Sequence, residues 1–159
     1  MTVALAMIVK DEEAHLPFAI GTASDLVDEV WVIDTGSTDR TVEIAKQLGA
    51  NVATVPWQGF GHARTAALRI SRKNDWTLML DADMTVDYHP DLKDWLENDP
   101  DPDVTAWQVN VADGNISYRL PLLTRGHLDW HYNGTTHEFL EPLGKQRPIL
   151  GLTINHHPT

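Results

Sequence analysis

Apolar and polar positions along this chain change period several times, and each change marks an element. Residues 3–9, VALAMIV, form an unbroken apolar run, the pattern of a strand buried on both faces. Leu16, Ala19, Ile20, Ala23 and Val27 then recur at helical spacing, with Pro17 where a first helical turn tolerates it. A second strand is predicted at 29–34, EVWVID. The following TGSTDR offers a glycine turn, Ser37 or Thr38 as helix N-cap, and Asp39 in the first turn. Val42, Ile44, Ala45 and Leu48 give that helix its buried face and Gly49 ends it. A third strand at 51–55 follows, then a helix over 60–70 with Phe60, Ala63, Ala67 and Ile70 on one side, then a fourth strand at 76–80.

Strands alternating with helices predict an α/β fold with a mostly parallel sheet flanked by helices. After residue 84 the texture changes. HPDLKDWLENDPDPD reads as a short helix and a Pro/Asp loop, and VTAWQVNV and ISYRLPLL flank ADGN as a β-hairpin. Pro121 places the second of those strands at a sheet edge, because proline cannot donate to a ladder. The last third, rich in Gly, His and Trp, reads as loop around this C-terminal β-hairpin.

Composition narrows the chemistry. A length of 159 residues suits one domain, and no apolar run approaches the roughly 20 residues of a membrane-spanning helix. The start turns acidic too early for a signal peptide, so a cytoplasmic protein is expected. Without cysteine there is neither a disulfide framework nor a thiolate ligand, so any metal must sit on oxygen or imidazole. A formal charge of −11 repels phosphate backbones and excludes nucleic acid as the main partner. A polyphosphate ligand would need a divalent cation to offset that field.

Open α/β sheets bind ligands beyond the carboxyl ends of their strands. Three such ends carry acids here: Lys10, Asp11 and Glu12 after the first strand, Asp34 to Ser37 after the second, and Asp81 and Asp83 after the fourth. Asp is a favoured turn residue, so an isolated Asp-x-Asp is a weak signal. Directly after a buried strand, the same pair is suited to Mg²⁺ or Mn²⁺ with a diphosphate completing the shell.

AMIVKDEE, VDEVWVIDTGSTDRTVEIAKQLGA, GHARTAAL and WTLMLDADM, in this order, resemble the nucleotide-sugar-binding half of family 2 glycosyltransferases with the GT-A fold. YNGTTHEFLEP resembles the G-x-x-H-E segment of the bacterial subgroup that includes lipopolysaccharide-core glucosyltransferases and peptide glycosyltransferases. Thr65 departs from the pattern, standing where many relatives have Asn. The resemblance implies one GT-A-like domain over 1–159, with 1–84 binding the nucleotide sugar and 85–159 facing the acceptor. It implies that Val9, Lys10 and Glu12 lie by the nucleoside, that Asp34 accepts a hydrogen bond from the base, and that Arg64 touches the diphosphate or braces an aspartate. Asp81, Asp83 and His156 would hold Mn²⁺ or Mg²⁺, Glu138 would be the general base, and His137 would orient it. Position 141 is Glu, so His137–Glu138 does not continue into a zinc-protease motif. Trp130 sits in a segment expected to border the acceptor, whereas Trp57, Trp76, Trp95 and Trp107 are expected in the core.

The implied activity is metal-dependent, inverting transfer from a nucleotide diphosphate-sugar, UDP-sugar favoured, to a glycan, lipid-linked or peptide acceptor. Two alternatives stay open: a non-catalytic nucleotide-sugar-binding module, and a sugar nucleotidyltransferase, for which VKDEEAHLP lacks the Gly-rich basic loop. Self-association as a homo-oligomer would cover an edge strand.

Overall fold

The computed structural model describes residues 1–134 and 139–157. An eight-stranded sheet runs through it. Its first half is β1 (Val3–Val9), β2 (Glu29–Asp34), β3 (Asn51–Thr54) and β4 (Trp76–Met79), joined by α1 (Leu16–Ala23), α2 (Thr41–Gln47) and α3 (Phe60–Ile70). Its second half is β5 (Met84–Tyr88), β6 (Val104–Asp113), β7 (Ile116–Arg125) and β10 (Lys145–His156), with α4 (Leu92–Glu97) after β5. Two short strands, β8 (Tyr132–Asn133) and β9 (Phe139–Leu140), pair separately. The strand order is β3-β2-β1-β4-β7-β6-β10-β5. The first four strands are parallel, β7 and β5 run antiparallel to their neighbours, and β10 is parallel to β6.

Strand β1 is central and divides the core. Val3, Leu5, Met7 and Val9 pack with Leu16, Ile20 and Leu26 on one face, while Ala6 and Ile8 meet Ala63, Ala67 and Leu68 of α3 on the other. The period-two alternation of a pleated strand thus serves two helical layers. The predicted face of α3 shifts accordingly: Ala63, Ala67 and Leu68 are buried, and Phe60 and Ile70 are exposed.

Three expectations are corrected. Helix α2 begins at Thr41, and Asp39 Oδ1 accepts from the Thr41 N–H at 2.9 Å; Ser37 and Thr38 bind the loop after β1 instead of capping. Strand β7 is internal, between β4 and β6. Pro121 is tolerated there because its pairing with β4 starts only at Leu123, and its pairing with β6 slips between Val109↔Leu120 and Trp107↔Leu123. Finally, the stretch read as loop contains β10, twelve residues long. Pro148 pairs on one side only, with Gln108 of β6, and a bulge separates it from Thr153. Among the described residues no helix is long and apolar enough to cross a membrane.

Candidate functional site

The carboxyl ends of β1, β2 and β4 converge because hydrogen bonds lock their loops together. The Thr35 N–H and Oγ1 both donate to the Val9 carbonyl, each at 3.0 Å, and Leu80 N–H donates to Ala6 O at 3.1 Å. Asp11 lies in the left-handed region at φ 53°, where its Oδ1 accepts from the N–H of Thr38 (2.8 Å) and of Asp39 (3.3 Å). In return Asp11 N–H donates to Ser37 Oγ at 2.9 Å, and Glu12 N–H to Thr41 Oγ1 at 2.8 Å.

A cleft of about 420 Å³ opens over these ends, lined by Val9, Lys10, Glu12, Arg64, Asp81 and Asp83 among others. Asp34, the last residue of β2 next to the lining residue Thr35, is 4% exposed. Its Oδ2 accepts from the N–H groups of Gly36 (3.2 Å) and Ser37 (3.1 Å), the Asx-turn role common to such positions. Its Oδ1 is buried without a protein donor among the described residues. Burial of that kind requires a partner.

Asp81 and Asp83 flank the turn between β4 and β5. Asp81 Oδ2 stands 3.6 Å from Arg64 Nη2. Burial pushes the Asp81 carboxyl up, Arg64 partly offsets this, and the charge of Asp83 adds to the rise. Arg64 lies over the rings of Phe60 (5.2 Å) and Tyr132 (5.9 Å), within cation–π range of both. Burial also raises the Tyr132 hydroxyl to about 12, with Arg64 opposing and Asp81 adding.

Sheet register brings in the remote histidine. Pairing of His156 with Met84 sets it beside Asp83, and pairing of Asn155 with Ala112 sets it beside Asp113. His156 Nε2 is 2.9 Å from Asp83 Oδ2, and Nδ1 is 3.3 Å from Asp113 Oδ1 without hydrogen-bond alignment. Desolvation favours the neutral imidazole, but the hydrogen bond and charge of Asp83, and then the charge of Asp113, outweigh it and raise the His156 pKa. The turn is further held by His157, whose N–H donates to Asp83 O at 2.7 Å and whose Nε2 meets Thr85 Oγ1 at 2.8 Å.

Among the described residues no three acidic or imidazole groups form a ready-made metal cage. The donor chemistry of Asp83 and His156 nonetheless suits a hard or borderline divalent ion, and Asp113 stands where a carboxylate orients a ligating imidazole. Such an ion would replace the contact these two side chains now make.

Glu138 and His137 lie outside the described residues. Trp130, expected beside the acceptor, is 3% exposed in the core under α3, and its indole N–H donates to Arg125 O at 2.9 Å. Thr65, the departure from the family pattern, accepts the Tyr132 N–H at 3.0 Å and so anchors β8 to α3. Four residues escaped the sequence reading. Asp113 looked like a hairpin-turn acid, and Trp57, assigned to the core, is half exposed on the cleft with Phe60, their rings edge-on at 4.8 Å. Tyr132 was unmarked. An aromatic just past a strand's carboxyl end, as in PWQGF, is the signal that could have found Trp57.

Known proteins resemble this chain in sequence and in fold. An uncharacterized glycosyltransferase of Rickettsia bellii is 40% identical over 139 residues, covering 87% of this chain and 42% of the relative. A TPR repeat-containing protein of Synechococcus elongatus is 34% identical over 143 residues, covering 87% of this chain and 35% of its own. The chain thus spans well under half the length of these curated relatives. Glucosyl-3-phosphoglycerate synthase from Mycobacterium tuberculosis, solved with Mn²⁺ and UDP-glucose, superposes with a TM-score of 0.56 at 27% identity, covering 70% of this chain and 44% of that one. Staphylococcus aureus TarS, at 17% identity, a TM-score of 0.56 and coverage of 73% and 37%, shares the fold. The family model described as glycosyl transferase family 2 matches residues 5–154, and the chain belongs to that family.

Proposed function

We propose that this chain binds a nucleotide diphosphate-sugar, UDP-sugar favoured, in the cleft over β1, β2 and β4 and transfers the sugar with inversion. The observation that carries this is the convergence of three segments distant in sequence on one cleft: Arg64 of α3 and the Asp81–Asp83 turn line it, and His156 of β10 contacts Asp83. Asp34 Oδ1, buried without a protein donor among the described residues, suits the imide N–H of a uracil. Arg64, held by Phe60 and Tyr132, orients the diphosphate. Asp83 and His156 would hold Mn²⁺ or Mg²⁺, with Asp81 beside them. The ion supplies Lewis-acid neutralisation of the departing diphosphate. The relative solved with Mn²⁺ and UDP-glucose supports both ligands by analogy.

The anomeric carbon–oxygen bond to the diphosphate breaks as an acceptor oxygen bonds to the opposite face. Glu138 takes the acceptor's proton, with His137 orienting it. On this reading 1–84 carries most of the donor site and 85–159 the acceptor side, although Asp113 and His156 return from the second part to serve the first. Lack of cysteine in this sequence supports a cytoplasmic setting.

Isothermal titration of UDP and GDP with and without Mn²⁺ tests the donor site. Metal-dependent binding of UDP, lost in Asp83→Ala, is expected. Binding of neither nucleotide overturns the proposal; binding without sugar transfer to any acceptor leaves the non-catalytic module.

A further inference from the structure

A second cavity, of about 680 Å³, adjoins the donor cleft and shares Arg64 and Asp81 with it. Its size is that of a pocket for a whole small molecule. Beyond that shared border its walls are Met79, Met84, Leu120, Leu122, Leu140 and Pro142, drawn from β4, β5, β7, β9 and the turn after β9. Tyr132 and Gln146 also line it; the Gln146 Oε1 accepts from Gln108 Nε2 at 3.4 Å, which leaves the Gln146 amide N–H groups and the Tyr132 hydroxyl as its isolated polar points.

Such walls select against a free saccharide. Each of a sugar's several buried hydroxyls needs a hydrogen-bond partner, and away from the Asp81–Arg64 end only Tyr132 and Gln146 among the described side chains could supply one. Leu120 and Phe139 are partly exposed at its border, so the apolar lining continues to the surface. The polar end of the cavity is the Asp81–Arg64 pair, where the sugar of a bound donor would meet its acceptor. Accordingly, we propose that the acceptor is an amphiphile with an aliphatic chain. The chain lies against Leu120, Leu122 and Leu140 and delivers the polar head to Asp81. This rests on the donor-site reading above and names the substrate class that reading leaves open.

The test titrates octyl, hexyl and methyl β-D-glucosides, as monomers in solution, into the whole protein saturated with UDP and Mn²⁺. Affinity is expected to rise with chain length, toward about fourfold for each methylene fully buried. Leu120→Gln and, separately, Phe139→Ser are expected to weaken the octyl compound at least tenfold while the UDP affinity stays within twofold. Both positions are partly exposed, so the fold survives either change. Equal affinity for the three glucosides, or octyl binding unmoved by both variants, overturns the amphiphile proposal and leaves the donor site standing. Dimerisation through this face in sedimentation, abolished by Leu120→Gln, also overturns it by making a second copy the occupant. Failure of UDP itself to bind overturns the donor-site reading and the inference with it.

Discussion

Asp11 offers a quantitative test of how the nucleotide cleft is held together. Its backbone is left-handed at φ 53°, and its carboxylate accepts the Thr38 and Asp39 N–H groups across the gap between the β1 and β2 loops. Three substitutions separate the two effects. Asn keeps an acceptor and tolerates the left-handed region, so Asp11→Asn should cost less than about 1 kcal/mol. Gly keeps the backbone and loses both bonds. These are solvent-exposed, so each contributes about 0.5–1 kcal/mol and Asp11→Gly should cost about 1–2 kcal/mol. Ala loses the bonds and adds about 1 kcal/mol of left-handed strain, for a total of about 2–3 kcal/mol. For a domain of this size that lowers Tm by about 4–12 °C, readable by urea and thermal unfolding. UDP affinity should fall in the same order, Asn least and Ala most, because the same bonds set the spacing of the two loops. Equal costs for Gly and Ala would refute the strain argument. A Gly variant as stable as Asn would refute the bonding argument.

Other predictions follow from single contacts. Asp101 is held below the ordinary carboxylate range by hydrogen bonds from Lys145 and then Arg147, at 2.9 and 3.1 Å. A depressed folded-state pKa gives stability that is present above the unfolded value of 3.8 and lost as pH falls through the folded one. Asp101→Asn should therefore be less stable than the parent at pH 7, and the difference should shrink to nothing in unfolding experiments carried below that window. Trp130→Ala should cost about 3–5 kcal/mol in denaturant unfolding as a core deletion, with UDP affinity retained where the fold persists. Gly126 donates its N–H to Asp75 O at 2.7 Å, and a Cβ there would sit 1.6 Å from the Asn74 carbonyl oxygen. Gly126→Ala should cost about 3 kcal/mol or more, seen as a collapsed Tm or insoluble product, whereas Gly21→Ala, with open space around it, should be well tolerated.

The site's chemistry depends on contacts between segments far apart in sequence. His156 reaches Asp83 because β10 lies between β6 and β5 and ends level with the turn after β4. The same strand brings His156 to Asp113, so the imidazole lies between two carboxylates. His156→Ala separates their roles in a titration: it should weaken Mn²⁺-dependent UDP binding and leave metal-independent binding unchanged.

Local pattern in the sequence was enough for β1 to β4, the three helices between them, and the position of Asp81 and Asp83 at a strand end. Those elements carry their own period, because each buried face is built from near neighbours along the chain. The last third lacked that property. Pro121 and Pro148 contradict strand structure locally, yet both sit in long strands, one where β7 lies outside regular pairing and one where β10 pairs on a single side. Trp130 read as a loop aromatic and is core, since what buries it is α3, more than fifty residues earlier. The family resemblance nominated His156, but its contact with Asp83 and the addition of Asp113 follow from register between strands more than thirty residues apart. Sequence by itself therefore determined the α/β half and its acidic strand ends, where period and burial coincide. Tertiary structure alone decided the inner placement of β7, the path of β10 and the company His156 keeps, because strand pairing is fixed by the partner and not by the strand.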